Sequence, residues 1–130
     1  MDTINKIIKF RGHCQIKTKF HLEKLAHKVS KAICGGIPFV YGEHSIWEEI
    51  PAMYLDHSIL GMLIIIGGYG KENGFCIEID SYGEFSRYVY NKGLRDSEVT
   101  VRLDLYLYHL LKQGLAEYPE IEIIEPKSIK

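Results

Sequence analysis

No stretch of this sequence stays apolar for the ~20 residues that a bilayer-spanning helix needs. Its most apolar run, Ile59 to Ile66, has the length of a strand, so no membrane partner is expected. The chain has three cysteines, Cys14, Cys34 and Cys76, widely spaced and without a C-x-x-C pair. An odd, scattered set does not make the disulfide framework of a small secreted domain, and reduced thiols are expected. Met1 to Lys6 shows no basic stretch leading into an apolar run, so no signal peptide is read there and a cytoplasmic location is expected. Charge of one sign is also lacking. The net charge is −1 at pH 7 and the isoelectric point is about 6.6, which argues against a nucleic-acid partner.

What is present is the composition of an ordinary globule: 130 residues, 46% apolar and 25% charged. That length suits one domain spanning 1–130 and buries enough surface to fold without a staple. The charge is unevenly placed. Residues 1–33 carry a net +6, residues 34–82 a net −6 and residues 83–130 a net −1. Either the two signs face each other across the fold, or the acidic third forms a face for a basic partner.

The pattern of apolar residues predicts an α+β domain: a single antiparallel-dominated sheet with about three helices packed on it. Asn5 to Lys17 reads as a strand or hairpin with a bend or bulge at Gly12. Thr18 is the expected N-cap of a helix whose inner face is Leu22, Leu25, Ala26, Val29 and Ile33, closed by Gly35-Gly36. Ile37–Tyr41, with Pro38, suits an edge strand, and Ile50–Leu55 a further strand. Ile59–Ile66 reads as a strand buried on both faces, paired as a central hairpin with Phe75–Asp80 across a glycine-rich turn. Ser81-Tyr82-Gly83-Glu84 matches a capping box for a short helix over 84–91. Residues 99–107 alternate like a strand yet also fit a helix; the spacing of Leu103, Leu107, Leu110 and Leu111 predicts a helix over about 102–114. A last strand is expected around Ile121–Ile124.

Motifs for chemistry are incomplete. The glycine-rich segment 67–74 lacks the Gly-x-x-x-x-Gly-Lys-Ser/Thr spacing of a phosphate loop, because Ile65 and Glu72 occupy required positions. Asn73 spoils the dinucleotide fingerprint in the same way. No two of the six histidines stand at the i, i+4 spacing of a helical metal site, and His13 and Cys14 on a strand point to opposite sides. No metal and no cofactor are therefore expected. No G-x-S-x-G elbow is present, and Cys34 sits at a helix C-terminus, where the dipole disfavours a thiolate. No catalytic residues are assigned, and the chain is read as not an enzyme. Lys24, Lys28 and Lys31 form a stripe on the first helix, the feature an RNA-binding module would use.

The segment around the only tryptophan is the best candidate surface. Glu43, His44, Trp47, Glu48 and Glu49, followed by Tyr54 and Asp56, combine aromatic and acidic groups. Aromatic anchors ringed by charge are the composition of an interface hot spot, here for a basic protein.

The run Gly36-Ile37-Pro38-Phe39-Val40-Tyr41-Gly42-Glu43, then Ile50-Pro51-Ala52-Met53-Tyr54-Leu55, Leu60-Gly61-Met62 and Gly67-Gly68-Tyr69-Gly70, resembles small bacterial immunity proteins. These belong to contact-dependent inhibition and polymorphic toxin systems, and the likeness covers about residues 35–80. It implies a cytoplasmic protein that binds a cognate toxin domain, often a nuclease, and occludes its active surface. The seven partner-binding positions rest on charge and aromaticity, not on a family motif. The alternative is a small α+β enzyme or ligand-binding domain with its site under the 42–58 loop.

Overall fold

The computed structural model describes residues 7–41, 50–81 and 98–127. Among them are seven strands in one sheet and two α-helices. The strands are β1 (Ile7–Lys17), β2 (Phe39–Tyr41), β3 (Ala52–Leu55), β4 (Leu63–Gly67), β5 (Phe75–Asp80), β6 (Glu98–Arg102) and β7 (Glu122–Ile124). The helices are α1 (Leu22–Ile33) and α2 (Asp104–Gly114). The α+β architecture is as expected, with two helices where about three were predicted. The expected helix over 84–91 lies outside the described residues.

The sheet order is β2-β3-β4-β5-β1-β6, with β7 also paired to β1. Every pairing is antiparallel except β1 with β6. β1 is one long strand, and on its second side β6 pairs with Ile7–Arg11 while β7 pairs with Gln15–Lys17. α2 leaves the sheet in the gap between those two partners. There the Leu103 amide donates to the Arg11 carbonyl at 2.7 Å. The Asp104 carboxylate then accepts from the His13 amide at 2.7 Å, so backbone groups that lack a strand partner are satisfied. Arg102 closes on the same carboxylate at 2.9 Å.

One face of the sheet carries the core. Leu25, Ala26 and Val29 of α1 and Leu107, Tyr108 and Leu111 of α2 pack over Cys14, Ile16, Ile66, Ile77 and Ile79. Each large side chain so buried contributes about 1.5–3 kcal/mol. Gly114 lets the helices meet, since a Cβ there would lie 3.0 Å from the Ala32 Cβ. The edge strand β2 is tied to α1 by Tyr41, whose hydroxyl donates to Glu23 Oε2 at 2.6 Å. That bond lowers the Glu23 pKa and pushes the Tyr41 phenol up to about 12.

Four local expectations change. Gly12 is not a bulge: it pairs in unbroken register with Ile79. Its hydrogen is needed because a Cβ would meet Ile79 Cγ1 at 2.9 Å and Leu103 Cβ at 3.3 Å. Thr18 does not cap α1, which begins after His21 without a side-chain cap. Its hydroxyl instead accepts from the Phe20 amide at 3.2 Å, a local turn that competes with capping. Ile59–Ile66 is not one strand. Leu60 and Gly61 both take positive φ, 52° and 74°, and Ile59 and Met62 exchange backbone bonds across that turn at 3.1 and 2.8 Å. Nor is β4 buried on both faces, because Ile64 and Ile66 are buried while Leu63 and Ile65 are only half-buried. Finally, the segment over 99–107 is both things in turn: strand through Arg102, then helix from Asp104.

Candidate functional site

Neither helix covers the second face of the sheet, and the alternation of the strands decides what it presents. Along β1 it displays Arg11, His13 and Gln15; along β5 it displays Cys76, Glu78 and Asp80, opposite to the buried Phe75, Ile77 and Ile79. Register then sets these residues in rows across the strands. One row runs Val40, Tyr54, Ile65, Glu78, His13. The next runs Ala52, Gly67, Cys76, Gln15.

The second row is made mostly of small residues, and the result is a trough. Its volume is about 310 Å³, and its walls include Ile50, Ile65, Tyr69 and Glu78 above a floor of Ala52, Gly67 and Cys76. The lining is largely apolar, with Gln15, Asn73 and Glu78 as its polar groups. Tyr69 and Ile50 remain 58% and 43% exposed at the rim, so the groove is reachable by a side chain or small molecule.

At the β1–β5 end of the trough His13, Cys76 and Glu78 converge. One ligand-type atom from each lies within 4.8 Å of the other two. His13 and Cys76 are half-buried and Glu78 is exposed. Burial, and next the nearby Glu78 charge, push the Cys76 thiol up to about 12. A thiol at that value stays protonated at pH 7 and is no nucleophile by itself. Beside the trio, burial raises the Asp80 carboxyl, opposed by the charges of Arg11 and Lys9; Arg11 Nε lies 3.5 Å from Asp80 Oδ2.

Of the seven residues expected to bind a partner, Glu43, His44, Trp47, Glu48 and Glu49 lie outside the described residues. Tyr54 stands on β3 in the first row, beside Ile65 and one strand from Glu78, with its phenol raised by burial. Asp56 is exposed just past the end of β3, where its amide donates to the Pro38 carbonyl at 2.9 Å. His57 is exposed and does not line the trough. The lysine stripe of α1 is engaged locally: Lys24 Nζ lies 4.6 Å from the Phe20 ring centroid and Lys28 Nζ 4.0 Å from that of Tyr118.

The sequence reading missed His13, Gln15, Ile65 and Cys76 as site residues. Part of the signal was there, because Cys76 and Glu78 two residues apart on a strand must share a face. Their meeting with His13 depends on the β1–β5 register, which no local pattern states. The chain matches no protein-family model, no curated protein and no solved structure.

Proposed function

We propose that this chain is a binding protein that neutralises a bacterial toxin domain, gripped over the sheet face that neither described helix covers, together with the 42–58 segment. The observation that supports it is the trough itself: an apolar groove with an exposed aromatic rim on the face that neither helix covers. A groove of this kind takes one or two anchoring side chains from a partner, the arrangement in which hot-spot energy concentrates. Strands β3–β5, which form its floor, come from the third of the chain that carries a net −6. Asp56, Glu72 and Glu78 from that third are exposed, which suits a basic toxin surface and would act mainly on association rate.

The test is co-expression of the chain with a toxin domain encoded beside it, followed by co-purification and kinetics. A one-to-one complex that suppresses toxicity is expected. Tyr69→Ala and the combined replacement of Trp47, Glu48 and Glu49 by Ala each weaken it, and added salt slows association more than it speeds release. A complex that tolerates both sets of substitutions refutes this surface. A chain that remains monomeric and leaves toxicity intact refutes the toxin reading.

A small-molecule reading has one observation in its favour. About 310 Å³ falls at the lower limit for a ligand pocket, and its mix of apolar walls and few polar groups is typical of one.

A further inference from the structure

The geometry points to a binding site for a borderline-soft divalent cation, Zn²⁺ in the first place, held by His13 on β1 and Cys76 and Glu78 on β5. Three features carry it. Register places His13 directly opposite Glu78 and two pairs along from Cys76, the next position on the same face. Alternation then turns all three side chains to the same side of the sheet. Finally, their nitrogen, sulfur and oxygen atoms already lie within 4.8 Å of one another. A tetrahedral zinc ion keeps its ligand atoms about 3.5 Å apart, given bonds near 2.0 Å to nitrogen or oxygen and 2.3 Å to sulfur. Closing the remaining distance asks for rotation of side chains, with Glu78 the freest of the three because it is exposed.

The donor set decides the metal class. Magnesium and calcium take oxygen ligands throughout, whereas a thiolate with an imidazole and a carboxylate suits zinc. On binding, the Cys76 thiol gives its proton to solvent and Sγ takes up the metal bond. Three protein ligands leave a fourth tetrahedral position, and on this face it opens toward the trough, whose lining already includes Cys76 and Glu78. The ion would also cross-link two central strands, since β1 and β5 are neighbours in the middle of the sheet. Cys14 takes no part, because it faces the core on the other side.

Cobalt(II) and zinc are the probes. Titrating the full chain with Co²⁺ is expected to give one equivalent of binding, with tetrahedral ligand-field bands and a thiolate-to-cobalt charge-transfer band that Zn²⁺ bleaches. Cys76→Ala removes the charge-transfer band. His13→Ala and Glu78→Gln each weaken zinc binding by at least the roughly tenfold that even an outer-shell partner costs. Glu78→Gln is isosteric and exposed, so it tests the site without endangering the fold. Cys34→Ala and His57→Ala, away from the trio, leave binding unchanged. The site is overturned if no charge-transfer band forms. It is equally overturned if the band survives Cys76→Ala, or if Glu78→Gln binds zinc as tightly as the parent.

Discussion

Replacing Gly68 with alanine tests whether the turn that walls the trough is as constrained as its backbone implies. Gly68 has φ = +140°, a region open almost only to glycine, and forcing another residue into it costs about 1–3 kcal/mol. A Cβ at Gly68 would also lie 2.5 Å from the Gly74 carbonyl oxygen and 2.9 Å from Phe75 Cα. Both are backbone atoms where the chain enters β5, so no rotamer change relieves the overlap. Relief must shift Phe75, which is 5% exposed and part of the core, and shifts of that kind add about 1–3 kcal/mol. Gly35→Ala is the control. Its φ is +62° and a Cβ would meet nothing within 4 Å, so it bears only the left-handed strain of about 1–2 kcal/mol. Urea unfolding followed by circular dichroism should therefore give about 2–6 kcal/mol for Gly68→Ala, centred near 4, against about 1–2 for Gly35→Ala, at equal m-values. At about 4 °C per kcal/mol, the difference of about 2.5 kcal/mol between the range midpoints separates the melting temperatures by roughly 10 °C. Equal losses at the two positions would show that backbone overlap contributes nothing, and the account of this turn would fail.

Asp104→Ala strands the His13 amide and frees Arg102, and should cost about 1–2 kcal/mol in denaturant titration. Arg102→Ala leaves the amide bond intact and, as an exposed pair, should cost under about 1 kcal/mol; the reverse order would refute the role given to the carboxylate. The thiols predict the alkaline limit of stability. Burial pushes Cys34 up to about 11, and burial with the nearby Asp104 charge does the same for Cys14. The folded state then holds these protons to higher pH than the unfolded chain, whose thiols titrate near 9. Their stabilisation is complete below pH 9 and is lost as pH rises from 9 to 11. Denaturation midpoints measured in metal-free buffers across that window should fall, and less steeply in Cys34→Ala.

Local periodicity carried α1 and the alternation of β5 because each element answers to its own spacing and to one buried face. Leu22, Leu25, Ala26 and Val29 fell where expected. Reading failed where two neighbouring patterns ran together. Val99 and Val101 belong to a strand and Leu107 and Leu111 to a helix, so one segment satisfied two periods. Ile59–Ile66 misled because apolar residues can also make a tight turn, and Leu60 is 91% exposed at its tip. The candidate site was the least legible part. Its residues lie more than sixty positions apart in sequence and meet only through strand pairing.

The sheet face that neither described helix covers is divided in a way that constrains anything that covers it. Its β3–β4 half presents Tyr54 and Ile65, while its β1–β5 half presents His13, Gln15, Glu78 and the Arg11–Asp80 pair. A purely apolar cover would strand those polar groups at a cost of about 1–3 kcal/mol each. A fitting partner must therefore bring an apolar anchor to the trough and polar or basic groups to its β1–β5 end. That end is also where the cation would bind, so the two proposals are thermodynamically coupled. Reciprocity requires zinc to change the affinity for a toxin by the same factor by which the toxin changes the affinity for zinc. A partner that donates the fourth ligand raises both affinities, and a partner whose basic groups meet Glu78 directly lowers both. Partner titrations with and without zinc, repeated in Glu78→Gln, read the sign of that coupling. Zero coupling in the parent chain would mean that the partner and the ion do not share this face.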